Sequence, residues 1–121
     1  MVDFENVALC FRQLSRCSDE KFEEVKPLVT EALNAVKDAL DFDRVTASEV
    51  SACEYAAACL ALYDYVCREV SCEQITVTAV GNADNIGDIT HRLKGAEELK
   101  KEALRRIAGL MRSESFLFET I

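Results

Sequence analysis

The chain has 121 residues, a mass of 13.5 kDa and a formal net charge of −8. This length suits one domain with its own core, and an apolar share of 50% with a single proline excludes a disordered chain. The acidic balance excludes a general attraction to nucleic acid or anionic lipid, because both are negatively charged. We therefore expect one globular domain over residues 1–121.

The six cysteines raise the question of an oxidising compartment or a metal site. Residues 1–6 lack the basic and apolar regions of an export signal, and no run of about 18 uncharged apolar residues is present. No pair of cysteines has the two-residue spacing of a zinc knuckle. We predict free thiols, no metal or other cofactor, no membrane span, and a location in a reducing cytoplasm.

The N-terminal part predicts two helices. Apolar residues recur at helical spacing over 4–14, which indicates a first helix of about three turns. Ser18 is a candidate N-cap for a second helix that runs to about Leu40. Pro27 lies inside that helix and removes a backbone donor, so we expect a kink or a break just before it.

A third, central helix is predicted over about 47–70. Thr46 and Glu49 have the spacing of a capping box at its start. Residues 56–63 are apolar on every face of a helix, so other elements must cover most of its sides. We expect the remaining helices to pack around the segment 50–66.

The C-terminal part combines strand and helix signals. Residues 75–80 are β-branched and alternating, which favours a strand, and the tail 116–121 is its natural partner, in the same chain or in a neighbouring subunit. Residues 81–88 have loop composition, and Asp88 is a candidate cap for a fourth helix that ends near Arg112. The predicted fold is mainly α, a four-helix bundle-like domain with a small two-strand β element.

The sequence gives no positive sign of an enzyme. His91 is the only imidazole, and we interpret it as a solvated surface side chain. The chain contains no nucleophile elbow, no P-loop and no dinucleotide-binding glycine motif. We expect a protein that acts without catalysis.

A basic segment stands out against the acidic chain. Residues 92–112 contain seven basic and three acidic residues. A solvated helix face, a DNA contact and a contact between identical subunits are the three interpretations. No recognition helix or aromatic stacking pattern accompanies the cations, so we favour a protein contact and expect no specific nucleic acid. The candidate interface consists of four cations of the helix and five loop residues, namely Lys100, Lys101, Arg105, Arg106, Gly81, Asn82, Asp84, Asn85 and Gly87.

A wider pattern covers residues 46–121. An alanine- and tyrosine-rich helix over 51–70 precedes the β-branched segment, which is followed by a polar loop, a charged helix containing 96–103 and the aromatic tail residues 116–118. In this order of elements the chain resembles small head-tail connector (neck) virion proteins of long-tailed phages and of prophages of Gram-positive bacteria.

The resemblance implies a mainly helical virion assembly protein that forms a ring between portal and tail. Its partners would be copies of itself and neighbouring portal or tail-side proteins, and residues 81–88 with the strand before them would bridge subunits. No catalytic residues come with this class. The alternative is a cytoplasmic bacterial module with a regulatory or partner-binding role and a groove in place of a ring.

Overall fold

The structure is a computed structural model that describes the backbone of residues 2–80 and 84–111 and the side chains of residues 2–69 and 90–111. It is mainly helical, as predicted. The four helices are α1 (Phe4–Ser15), α2 (Asp19–Ala39), α3 (Val50–Val80) and α4 (Asp84–Arg106), with short 3₁₀ turns at Ala47–Glu49 and Ala108–Leu110.

The predicted helix starts are explained by local caps. Asp3 accepts a hydrogen bond from the backbone N–H of Glu5 at 3.2 Å at the start of α1. Ser18 accepts one from the N–H of Lys21 at 3.2 Å, which confirms it as the cap of α2. Glu49 accepts from the N–H of Thr46 at 3.1 Å, so the acidic half of the predicted capping box is formed before α3.

Helix α2 continues through Pro27 without the break that the sequence predicts. Pro27 is exposed, so water can reach the backbone carbonyl whose helical donor the proline removes. The apolar face of α2 stays buried on both sides of Pro27, from Phe22 to Val36. Packing of that face against the core offsets the local loss of one hydrogen bond.

Helix α3 is the centre of the bundle, as predicted, and it contacts each of the other three helices. Residues 56–62 are buried without exception, and so is Cys53 one turn earlier. Alanine and cysteine at these positions let neighbouring helices approach closely. The ring of Phe11 on α1 packs edge-on against Tyr65 at 5.6 Å and lies 6.3 Å from the ring of Phe22 on α2.

The strand predicted at 75–80 is wrong, because these residues form the last turns of α3. Once a helix is nucleated, each further residue adds a hydrogen bond, and the helix penalty of valine, isoleucine and threonine is only about 0.5 kcal/mol each. The 25 helical residues that precede this segment in α3 therefore outweigh a local β preference. The tail 116–121 lies outside the described residues, and the β element of the predicted fold is not seen.

The loop predicted at 81–88 is also shorter than expected. Helix α4 starts at Asp84, so Asp88 lies one turn inside it and is not its cap. At its other end α4 stops at Arg106 and not near Arg112. The chain then turns back onto the end of α2, where Leu40 and Met111 form an isolated antiparallel bridge and the N–H of Asp41 donates to the carbonyl of Leu110 at 2.8 Å.

Truncation in α3 tests its central place. We expect Leu60→Ala to lower the free energy of unfolding by about 2 to 5 kcal/mol, because the leucine is buried on the central helix. Lys101→Ala removes a surface ion pair with Glu97 and should cost less than about 1 kcal/mol. Denaturant unfolding of the two variants measures both values, and a similar small loss in both would contradict the central role of α3.

Candidate interaction surface

The basic segment of α4 does not form one solvated face. Lys100 is only 1% exposed, and its Nζ lies 3.8 Å from the centre of the Tyr63 ring on α3. It shares the inner side of α4 with Ala96, Ala103 and Leu104, which are buried as well. The expectation that Lys100 is a solvated cation of this helix is therefore wrong.

The surroundings of Lys100 are electrostatically balanced. Burial lowers the pKa of this ammonium, while the carboxylates of Asp64 and Glu97 act in the opposite direction. Burial likewise raises the pKa of Asp64, and Lys100 and Arg68 partly offset that rise. An ammonium held between an aromatic face and carboxylates on two helices fixes the position of α4 along α3.

The other three predicted cations do reach solvent, but to different degrees. Lys101 is half-buried and pairs with Glu97 at 3.2 Å, one helical turn earlier. Arg106 pairs with Glu102 at 3.0 Å, and Arg105 is exposed. Both pairs have the i, i+4 spacing that is favourable on a helix surface. Exposed pairs of this kind contribute little to stability, so these side chains are free to serve a contact.

The five predicted loop residues are divided by the start of α4. Asp84, Asn85 and Gly87 belong to the first turns of this helix. Gly81 and Asn82 lie outside the described residues. The expected interface loop is thus, in its second half, the end of a helical hairpin made by α3 and α4.

A buried carboxylate that sequence reasoning missed joins α1 to α3. Glu54 on α3 is 7% exposed, and its Oε2 accepts hydrogen bonds from the N–H of Asp3 at 2.9 Å and from the side-chain amide of Asn6 at 3.0 Å. A negative charge at the N-terminus of α1 is favourable because free N–H groups point outward there. The signal in the sequence is one acidic residue between Cys53 and Tyr55 in an otherwise apolar stretch.

A groove opens where α1, α3 and α4 meet, with a volume of about 270 Å³. Leu14 of α1, Leu62 and Val66 of α3 and Leu99 of α4 supply its apolar lining. Leu99 is 37% exposed there, although the sequence pattern places it on the inner face of its helix. A Cβ built on the lining residue Gly95 would meet nothing within 4 Å, so no intramolecular contact requires a glycine at this position.

Two further grooves flank α2. The one between α1 and α2 has a volume of about 460 Å³ and carries Leu9, which is 59% exposed, with Arg12 and Lys26 at its edge. The one between α2 and α3 has a volume of about 370 Å³ and is lined by Arg68 and Glu69 among others. Both are open surface depressions rather than enclosed ligand cavities.

The described cysteines are free thiols, as predicted, and two of the five are fully buried, Cys53 and Cys59. The side chain of Cys72 lies outside the described residues. Burial raises the pKa of Cys59 to about 11, and a hydrogen bond with Tyr55 offsets part of the rise. Burial also raises the pKa of Cys10 and Cys53, so these thiols are held in the protonated, weakly nucleophilic form at neutral pH.

The described residues contain no group of three or more histidine, cysteine or acidic side chains that could hold a metal ion. In the same part of the chain no helix has the length and apolar character needed to cross a bilayer. His91 is exposed at the edge of the groove between α1, α3 and α4, as expected of a surface histidine. No family model, curated protein or solved structure matches the chain.

Charge reversal at Lys100 separates the buried cation from its solvated neighbours. Lys100→Glu should lower the free energy of unfolding by about 3 kcal/mol or more, because it buries a second negative charge beside Asp64. Arg105→Glu on the exposed side should cost less than about 1 kcal/mol. Thermal and denaturant unfolding measure both effects, and an equally mild loss at Lys100 would show that its ammonium is not part of the core.

The buried thiol of Cys59 predicts an alkaline loss of stability. Its pKa is near 9.0 when unfolded and about 11 when folded, so its contribution is complete below pH 9 and is lost as the pH rises through 11. Between about pH 8 and 10.5 the wild type should lose about 1 to 2 kcal/mol more than Cys59→Ala. Urea unfolding at the two pH values decides this, and equal losses in both proteins would contradict the assignment.

Proposed function

We propose that the chain is a non-enzymatic virion assembly protein of a phage or prophage, an oligomeric adaptor of the head-tail connector class. The observation that carries the proposal is the unequal length of the helices. Helix α3 has 31 residues and α2 has 21, which correspond to about 46 Å and 31 Å of helix. The α3–α4 hairpin is thus the longest feature of the fold.

Contacts locate the end of the bundle along this hairpin. Arg92 on α4 lies 3.7 Å from Glu69 on α3. Glu69 also lines the groove with Lys21, two residues from the start of α2. Beyond this level α3 continues over residues 70–80, about 16 Å of helix. A hairpin that continues past the connection of α1 and α2 can reach a neighbouring subunit.

The resemblance to neck proteins supports the same use of this region, because members of that class bridge subunits with an element between two helices. Residues 70–80 and 84–88 are the corresponding part of this chain, with helical backbone in place of the expected strand and loop. The partners we propose are copies of the chain itself and the portal or tail-side proteins next to it. The chemistry of such an adaptor lies in its surfaces and not in a catalytic centre.

A second candidate function is a partner-binding module of the bacterial cytoplasm. The groove between α1 and α2 favours it, because Leu9 in its lining is a large apolar side chain left 59% exposed. A single amphipathic helix of another protein fits such a groove. The two functions differ in where the chain is found in the cell and in what its deletion does.

Particle purification tests the proposed function. After prophage induction in the source bacterium, density-banded particles should contain peptides of this chain in a constant ratio to the portal protein across the band. Deletion of the gene should leave filled heads and separate tails, and expression of the chain in trans should restore joined particles. An abundant cytoplasmic protein followed in the same fractions is the control. Absence of the chain from the particles, with normal joining after deletion, would favour the partner-binding module.

A further inference from the structure

Helix α4 carries a line of three exposed residues, two of which, Arg92 and Leu99, line the groove between α1, α3 and α4. Arg92, Leu99 and Arg106 are spaced by seven residues, so they lie nearly above one another on the helix surface. Gly95 lies between the first two and leaves open space beside the backbone. The line thus consists of an apolar centre, a shallow gap for close approach and a cation at each end, and each cation also pairs with a carboxylate of its own copy, Glu69 or Glu102.

Helix α2 carries a matching line of opposite charge. Glu24, Glu31 and Asp38 are also spaced by seven residues, and all three are exposed. Glu20 extends the same line by one turn toward the start of the helix. Pro27 is exposed between Glu24 and Glu31, where its ring adds an apolar contact. This face of α2 has no counterpart elsewhere in the described residues, since the other helices carry no such row of carboxylates.

The spacing of the two lines agrees. Glu24 and Asp38 are fourteen residues apart, as are Arg92 and Arg106, and this separation corresponds to about 21 Å along either helix. Two helices packed side by side at a small crossing angle can therefore form an ion pair at both ends of the contact. The match holds for either relative direction of the helices.

The two lines lie on helices that both pack against α3. Helix α3 contacts both α2 and α4, and Asp64 of α3 interacts electrostatically with Lys100 of α4 and with Glu31 of α2. The groove beside Leu99 is closed on its other side by Leu14 of α1. The acidic and the basic line thus belong to separate helices of the same copy.

We propose that the line on α4 is the docking site for the acidic face of α2 from a second copy of this chain. The contact is head-to-tail, so repetition closes a ring or extends a filament, depending on the angle between copies. The inference rests on the self-association contained in the proposed function and assigns the surfaces that produce it. Charge complementarity selects a second copy as the occupant, because α2 supplies the required acidic line.

Charge exchange between the two helices tests this assignment. The α2 variant combines Glu24→Lys with Asp38→Lys, and the α4 variant combines Arg92→Glu with Arg106→Glu. Each should weaken self-association at least about tenfold in sedimentation at about 50 mM salt, because like charges then face each other. An equimolar mixture of the two variants should recover association to within about threefold of the wild type, since every contact again joins opposite charges.

A matched control variant distinguishes an effect of net charge from an effect of the position of the charges. Lys94→Glu with Arg105→Glu changes the charge as much as the α4 variant does, on exposed residues of the same helix that lie off the line. This control should associate within about threefold of the wild type. An equal weakening in the control, or no recovery in the mixture, would overturn the assignment.

Gly95→Leu tests the gap between the charges. A Cβ at this position meets nothing within 4 Å in the monomer, and replacing a helical glycine restricts the unfolded chain, so the melting temperature should stay the same or rise. Association should fall at least about tenfold because the leucine fills the space that a second helix needs. Unchanged association would overturn the proposal that a second helix packs beside Gly95.

The result also separates this inference from the proposed function. A wild-type chain that stays monomeric up to about 200 μM overturns the assigned contact. A chain that associates without regard to these variants overturns the assigned surfaces while leaving the adaptor function in place. Absence of the chain from purified particles overturns the adaptor function whatever the sedimentation shows.

Discussion

Helix α3 is apolar on all sides over residues 56–62, and such a helix is stable in water only when other helices surround it. Helices α1, α2 and α4 meet this requirement from three directions. Because the central side chains are mostly alanine and cysteine, little apolar area comes from each, and the larger residues of the outer helices supply the rest. Phe11, Phe22 and Leu104 are buried for this reason. The position of every outer helix follows from the need to cover α3.

Packing against alanine alone does not fix the position of one helix along the axis of another. Two charged residues of the core, Glu54 and Lys100, fix these positions. Glu54 binds the start of α1 by accepting hydrogen bonds from the N–H of Asp3 and from the side-chain amide of Asn6. Lys100 fixes α4 against the ring of Tyr63 on the opposite side of α3. Displacing α1 or α4 by one turn would be costly, because the charge of Glu54 or of Lys100 would then be buried without a compensating contact. These polar contacts specify one arrangement among several that the apolar core alone would accept.

Helix positions were largely predictable, because caps and periodicity are local signals. The Ser18 cap and the apolar stretch 56–63 appear where the sequence predicts them. The helical structure of the segment 75–80 was not predictable in this way, because its β-branched residues favour a strand locally while the preceding helix favours continuation of the helix. Only the cost of ending a long packed helix decides between the two, and that cost is a property of the whole bundle.

The candidate surface was predictable only in part, for a related reason. A lysine is normally assigned to solvent, yet Lys100 follows Ala96 by four residues and precedes Leu104 by four, so helical spacing alone puts it on the inner side of α4. Its aliphatic stem is as apolar as its neighbours, which makes this position acceptable once Tyr63 receives the ammonium. Leu99 shows the reverse case, since its apolar character suggests burial while its position places it at the edge of a groove.

The buried position of Lys100 and the exposed position of Leu99 determine where positive charge lies on the surface of α4. With Lys100 turned inward, the positive charge that remains on the outside of α4 is distributed along two separate sides. Arg92 and Arg106 flank Leu99 on the side of the groove, and Lys94 and Arg105 lie on the other. A cation at either end of an apolar residue selects a partner by charge while the centre excludes water, which a continuous basic patch does not do. The buried lysine therefore does more than join α3 to α4, because its removal from the surface leaves an uncharged centre at which another helix can pack.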